Sequence, residues 1–252
     1  MSLADKSLRA IQSNYIGTLI RVGAQFGAQI VIMRALGPDS VGVFGYALLL
    51  YGVLGIGIDQ GFGWSLVKGD FENKEQIAIA FSRIMLAACV CVVFVYLVSF
   101  PVESALANNL VGDVIRYSAP SYLLVGLFVV AQARLRADLR FKEIQFATTG
   151  AYVIAYPIVG IYMALHGYGV WSLLVAWYAQ AVLQVAIAYY FNPHSLRLTN
   201  PFKPTPSGPL GRSVASINGL NWAVDSAGGI VVGGLGATAL GNFNAASMLA
   251  KT

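Results

Sequence analysis

Charged residues are scarce in this sequence. Only 11% of the 252 residues are Asp, Glu, Lys or Arg, and 57% are hydrophobic. An ordinary soluble domain carries roughly 25% charged residues. So few charges cannot cover a globular surface, and this excludes most soluble classes and predicts a membrane protein.

Residues and motifs typical of catalysis and metal binding are also rare. The chain has no GxxxxGK[ST] phosphate loop, and its glycine clusters GIGIDQGFG and GGIVVGGLG, which we interpret as helix-packing glycines, lack the GxGxxG spacing. The two histidines, His166 and His194, are predicted to lie on opposite sides of the membrane, and Cys89 and Cys91 to be buried structural thiols. We therefore expect no enzyme, no metal site and no bound cofactor, apart from coupling to H⁺ or Na⁺.

What the sequence does contain is apolar segments of about 20 residues, the length that crosses the hydrocarbon core as a helix. Seven are predicted, at 14–36, 41–66, 77–100, 114–133, 144–166, 170–191 and 210–235. An eighth begins after Gly241 and has built about half a crossing at Thr252, so we expect the front part of a longer protein. Lys and Arg concentrate at the N-terminus and in alternate loops, which predicts a cytoplasmic N-terminus. Topology thus explains the net charge of +5, and no nucleic-acid partner is expected.

The first predicted helix has a polar face. Its members step by 4, 3, 4 and 4 residues and share an arc of about 80°: Asn14, Thr18, Arg21, Gln25 and Gln29. An uncompensated Arg inside a span costs roughly 2.5 to 3.5 kcal/mol on insertion scales, so its retention points to function.

The seventh predicted helix has a matching polar face with Asn218, Asn221 and Asp225. Two such faces favour a water-filled cavity, in which we predict that Asn14, Arg21, Gln25, Gln29, Asn218 and Asn221 bind substrate. Asp225 is a candidate coupling residue. The alternative is a static Arg21–Asp225 pair that only fixes helix order. For Asp59, near the end of the second span, a gating role and a structural role at the helix end are both open.

A long internal repeat organises the chain. LGPDSVGVFGYALLL from Leu36 aligns without a gap with LGATALGNFNAASML from Leu235, at an offset of 199 residues. Six helices fit in that distance, so both copies are predicted to face the same way. Five prolines mark a cytoplasmic linker between the copies. The predicted domains are a six-helix lobe (1–191), the linker (192–209) and the start of a second lobe (210–252).

Four segments, in the right order, carry a family resemblance: RALGPDSVGVFGYALLLYGVLGIGIDQGFGWSLVKG, ARLRADLRFKEI, HGYGVWSLLVA and DSAGGIVVGGLGATALGNFNAA. Together they resemble bacterial polysaccharide flippases of the multidrug/oligosaccharidyl-lipid/polysaccharide exporter superfamily, of the colanic-acid and lipopolysaccharide O-antigen type. The resemblance covers essentially the whole chain and implies the all-α, two-lobe architecture of that superfamily.

The resemblance also implies a function. Such proteins move undecaprenyl-diphosphate-linked oligosaccharide across the bacterial inner membrane by alternating access, for lipopolysaccharide or exopolysaccharide synthesis. Expected partners are this glycan, membrane lipids, a glycan polymerase and glycosyltransferases. Two alternatives remain: a drug or cation exporter of the same superfamily, and a membrane fragment that transports nothing. The exporter would need an acidic cavity, whereas Arg21 favours an anionic substrate.

Overall fold

The computed structural model describes residues 3–59, 74–193, 196–203 and 209–250, and within them the side chains other than those of 3–18, 20, 21, 24, 25, 59, 209–212, 214 and 248–250. All regular structure in these ranges is helical, without a strand. The helices are α1 (Leu3–Asp59), α2 (Lys74–Leu106), α3 (Asn109–Ser118), α4 (Ser121–Ala137), α5 (Phe141–Leu165), α6 (Trp171–Phe191), α7 (Pro209–Gly233) and α8 (Ala237–Ala250).

Among the described residues, five helical segments are long and apolar enough to cross a membrane. They are Phe26–Ile58, Lys74–Leu106, Asn109–Ala137, Phe141–Leu165 and Trp171–Phe191. The predicted class of an all-α polytopic membrane protein is therefore confirmed. The predicted seventh span is the helix α7, which is not one of the five because its asparagines and aspartate make it more polar. The end of the predicted second span, beyond residue 59, lies outside the described residues.

The predicted spans leave a four-residue loop, 37–40, between the first two helices. The structure shows a break at a single residue instead. Within α1 only Gly37 leaves helical geometry, with φ 75° and ψ 168°. Pro38, Asp39 and Ser40 are already helical. Glycine alone adopts this positive φ without strain, and proline fits the first helical turn because its missing N–H needs no partner there. Gly37 thus divides α1 into an N-terminal arm and a C-terminal arm.

Two other predicted spans also depart from regular α-helical hydrogen bonding, and each contains a proline where it does so. The fourth runs from α3 into α4 through Ala119 and Pro120, where hydrogen bonds join residues three apart. In α5, two π-helical turns, Phe146–Gly150 and Ala155–Gly160, interrupt the α-helix. The second contains Pro157, whose ring and missing N–H disfavour regular α-helical bonding.

The core lies between the C-terminal arm of α1 and helices α2, α4 and α6. The ring of Trp177 on α6 meets Tyr51 edge-on at 4.4 Å and Phe44 at 6.1 Å between centroids. Tyr122 on α4 is buried beside them. Aromatic pairs of this geometry add roughly 0.5 to 1.5 kcal/mol each beyond the area that they bury.

Side chains of α2 and α3 form a small cluster of charges near the junction of the two helices. Arg116 forms ion pairs with Glu103 and with Asp113, the latter at 3.0 Å, and its Nε donates to Ser99 Oγ at 3.0 Å. The charge of Arg116 is therefore compensated by nearby carboxylates.

The two cysteines have different environments. Cys91 is buried on α2 as predicted, whereas Cys89 is exposed, and both are free thiols. The prediction of burial was wrong for Cys89 because two residues along a helix turn the side chain by about 200°, away from the core that holds Cys91.

Candidate functional site

The two copies of the internal repeat lie directly against each other. A Cβ atom at Gly42 would overlap the backbone carbonyl of Ala237, and one at Gly241 would overlap that of Pro38. Gly42 and Gly241 are equivalent positions in the repeat, as are Pro38 and Ala237. Only glycine allows two helix backbones to approach this closely.

Other contacts along this interface join equivalent positions directly. Thr238 Oγ1 donates a hydrogen bond to Asp39 Oδ1 at 3.1 Å. A Cβ atom at Gly45 would lie 2.6 Å from the side-chain nitrogen of Asn244. Each of these pairs is 199 residues apart. Because equivalents meet at successive levels, the C-terminal arm of α1 and the helix α8 run in the same direction around a local two-fold axis.

The helix α7 packs against the same α1 arm as α8 does. Tyr46 Oη donates to the carbonyl of Gly233 at 2.6 Å, and the indole nitrogen of Trp222 lies against Gly52. Gly228 contacts the ring of Phe243 on α8, so α7 and α8 form an antiparallel hairpin. The turn of this hairpin contains Gly236, at φ 114°.

The predicted polar residues of α7 lie beside this packing face. Asn218, Asn221 and Asp225 are all exposed. At 100° per residue they occupy an arc of about 60° that begins roughly 40° from Trp222. The structure therefore places them together at the edge of the contact between α7 and the C-terminal arm of α1.

The predicted polar residues of α1 are described only in part. Gln29 is half-buried, between the buried neighbours Ala28 and Ile32. The side chains of Asn14, Arg21, Gln25 and Asp59 lie outside the described residues. Their roles, and the alternative Arg21–Asp225 pair, stay predictions.

Arg83 has partners that the sequence did not indicate. Its guanidinium donates to the backbone carbonyls of Pro201 and Lys203. The neighbouring Ser82 Oγ accepts the N–H of Thr199 at 2.8 Å, and Lys203 Nζ lies 2.8 Å from Glu75 Oε1. Residues 199–203, which we call the strap, are thus bound to the start of α2. An arginine within an apolar helix was the sequence signal for this contact.

Two arginines between the fourth and fifth predicted spans bind the end of α6. Arg140 Nη1 donates to the carbonyl of Phe191 at 3.0 Å, and Arg134 Nη1 to that of Pro193 at 3.1 Å. Phe191 is the last residue of α6 and Pro193 follows two residues later. The last carbonyls of a helix lack partners within it and attract positive charge. Both arginines therefore have a structural role in addition to the predicted effect on topology.

One comparison with known proteins identifies the family of this chain. The family model described as polysaccharide biosynthesis protein matches residues 31–252, from within α1 through the whole of the paired helices. No curated protein and no solved structure matched the chain. With its apolar helices, the chain is a membrane protein involved in polysaccharide synthesis or export. It belongs to the polysaccharide biosynthesis protein family.

Proposed function

We propose that the protein is a flippase that moves undecaprenyl-diphosphate-linked oligosaccharide from the cytoplasmic to the outer leaflet of the bacterial inner membrane. No covalent chemistry is part of this proposal. The N-terminus is cytoplasmic, and the protein partners are a glycan polymerase and glycosyltransferases.

The observation that carries the proposal is the pairing of equivalent residues across the local two-fold axis, at Asp39 with Thr238 and at Gly42 with Gly241. Transporters built from parallel repeats hold their substrate at the interface between the two copies and expose it to each side in turn. A pair of equivalent helices in contact is the geometry that such rocking requires.

The polar residues beside this interface fit a glycan linked to a diphosphate. Asn218 and Asn221 offer amide donors and acceptors for sugar hydroxyls. The guanidinium of Arg21 is suited to a diphosphate because it makes forked, charge-assisted hydrogen bonds. Gln25, Gln29 and Asn14 extend this face, with Asp225 as the coupling residue and Asp59 as a gate.

The membrane potential favours this direction of transport. Moving a diphosphate with about two negative charges out of a cell that is negative inside gains roughly 4 to 5 kcal/mol per 100 mV. H⁺ or Na⁺ coupling through Asp225 would add to this driving force.

The test is complementation of a flippase-null bacterial strain with the gene that encodes this chain. We expect Arg21→Ala and Asp225→Asn to reduce surface polysaccharide at least tenfold with unchanged membrane levels. Arg34→Ala, which removes an exposed arginine from the same helix, is the matched control and keeps activity. Wild-type polysaccharide in the Arg21→Ala strain would refute the diphosphate site. Recovery only in Arg21→Asp with Asp225→Arg would support the static pair instead.

A further inference from the structure

A cleft beside the strap lies outside the contact between the repeat copies. Its volume is about 490 Å³. Gly57 of α1 forms one wall, Arg83, Leu86 and Val90 of α2 form the second, and Pro201 of the strap forms the third. The strap thus covers one end of the cleft.

Among the described residues, the strap end of the cleft carries the guanidinium of Arg83. Arg83 is bonded there to the neutral carbonyls of Pro201 and Lys203, so its charge is not cancelled by those partners. The nearby carboxylate of Glu75 is paired with Lys203. Arg83 lies nine residues after the start of α2, about 13 Å along the helix. This depth suits a headgroup at the boundary of the hydrocarbon core.

An apolar stripe leads away from Arg83 along α2. Leu86, Val90, Val93 and Leu97 are 43%, 60%, 59% and 60% exposed. Steps of 4, 3 and 4 residues keep them on one face of the helix. The stripe is about 16 Å long, close to half of the roughly 30 Å hydrocarbon thickness. Its length therefore matches one acyl chain in one leaflet.

We propose that this cleft binds an anionic phospholipid of the cytoplasmic leaflet, with its phosphate at Arg83 and one acyl chain along Leu86, Val90 and Val93. Charge and shape both support this occupant. Basic pockets between helices on the cytoplasmic side are suited to anionic headgroups, and the guanidinium geometry matches phosphate. The exposed Phe202 at the cleft mouth offers further apolar contact.

The test is lipid titration of the purified, delipidated chain, with bound lipids counted by native mass spectrometry. The probes are phosphatidylglycerol and phosphatidylcholine of equal chain length. We expect preferential binding of one phosphatidylglycerol. Arg83→Gln should weaken it about tenfold, as expected for one charge-assisted contact. Val90→Trp, which fills the cleft without altering Arg83, should weaken it similarly.

Two control variants separate the cleft from general effects. Lys142→Gln removes an exposed cytoplasmic charge far along the chain and should leave binding unchanged. Glu75→Gln breaks the contact between Lys203 and α2 while Arg83 remains, and it should also leave binding unchanged. Circular dichroism melting shows that each variant is folded.

Several results would overturn the proposal. Equal binding of phosphatidylcholine would show a crevice that takes any lipid. Loss in Arg83→Gln but not in Val90→Trp would place the anion outside the cleft. Displacement by millimolar inorganic phosphate would indicate an ion site without a tail. Displacement by polyprenyl diphosphate at an equal concentration would assign the cleft to the transport substrate.

Discussion

Glycines within α1 differ sharply in their surroundings. Gly42 touches the backbone of α8, whereas Gly55 has no other atom within 4 Å of the position of a Cβ, of those that the structure describes. Both lie in the helical C-terminal arm. Replacing either by alanine therefore gives the same gain in helix propensity, about 1 kcal/mol, and only the packing term differs.

This pair gives a direct test of the close approach. We expect Gly42→Ala to lower the free energy of unfolding by about 1 to 3 kcal/mol, because the added methyl must push the two backbones apart. Gly55→Ala is the control and should leave stability equal or slightly higher. Thermal unfolding of the purified protein in detergent measures both. Equal melting temperatures for the two variants would show that the backbones are not in contact at Gly42.

At the scale of the helices, the last carbonyl of α6 is hydrogen-bonded by a side chain from another part of the chain. Arg140 Nε lies 3.0 Å from Glu143 Oε1, and Arg140 Nη1 donates a hydrogen bond to the carbonyl of Phe191. The connection between α4 and α5 is therefore tied to the end of α6.

Removing this contact should loosen the end of α6. We expect Arg140→Gln to destabilise the protein by about 1 to 2 kcal/mol, the range for a hydrogen bond from a charged donor whose acceptor would otherwise lack a partner. Lys142→Gln, two residues away and exposed, is the control for loss of positive charge. Hydrogen exchange at the last turn of α6 reports the effect. Unchanged protection there in Arg140→Gln would contradict a capping role.

Elements set by local chemistry were predictable from the sequence. Apolar runs identified the helices, and the Gly-Pro pair at 37 and 38 located the break in α1. The repeat alignment paired Asp39 with Thr238, which the structure shows in contact. The strap and the arginine contacts at α6 were not predictable, because they join residues 51 to 120 positions apart without any shared pattern. The proposed cavity residues on the first helix stay predictions for the same reason.

For the molecule as a whole, the Asp39–Thr238 bond joins the start of the C-terminal arm of α1 to the start of α8, and the predicted topology puts both on the outer side. Alternating access requires the two copies to separate at that side when substrate leaves. The structure would then represent a state that is closed toward the outside.

Covalent linkage of these ends should stop transport. We expect Asp39→Cys with Thr238→Cys, in a Cys89→Ser background, to lose activity when treated with a short, reducible thiol cross-linker, and to recover it on reduction. Surface polysaccharide in the complemented strain is the measurement. Each single cysteine variant, treated identically, is the control and stays active. Full activity of the cross-linked protein would mean that this contact does not open during transport.

The contact around Gly42 and Gly241 also bears on the history of the chain. An interface in which each residue faces its own equivalent is isologous, the form made by two identical subunits in a symmetric dimer. A six-helix ancestor with a single such glycine would make this contact with a second copy of itself. Duplication and fusion of such a half would free each side to change alone, and this would account for aspartate facing threonine at 39 and 238, and for glycine facing asparagine at 45 and 244.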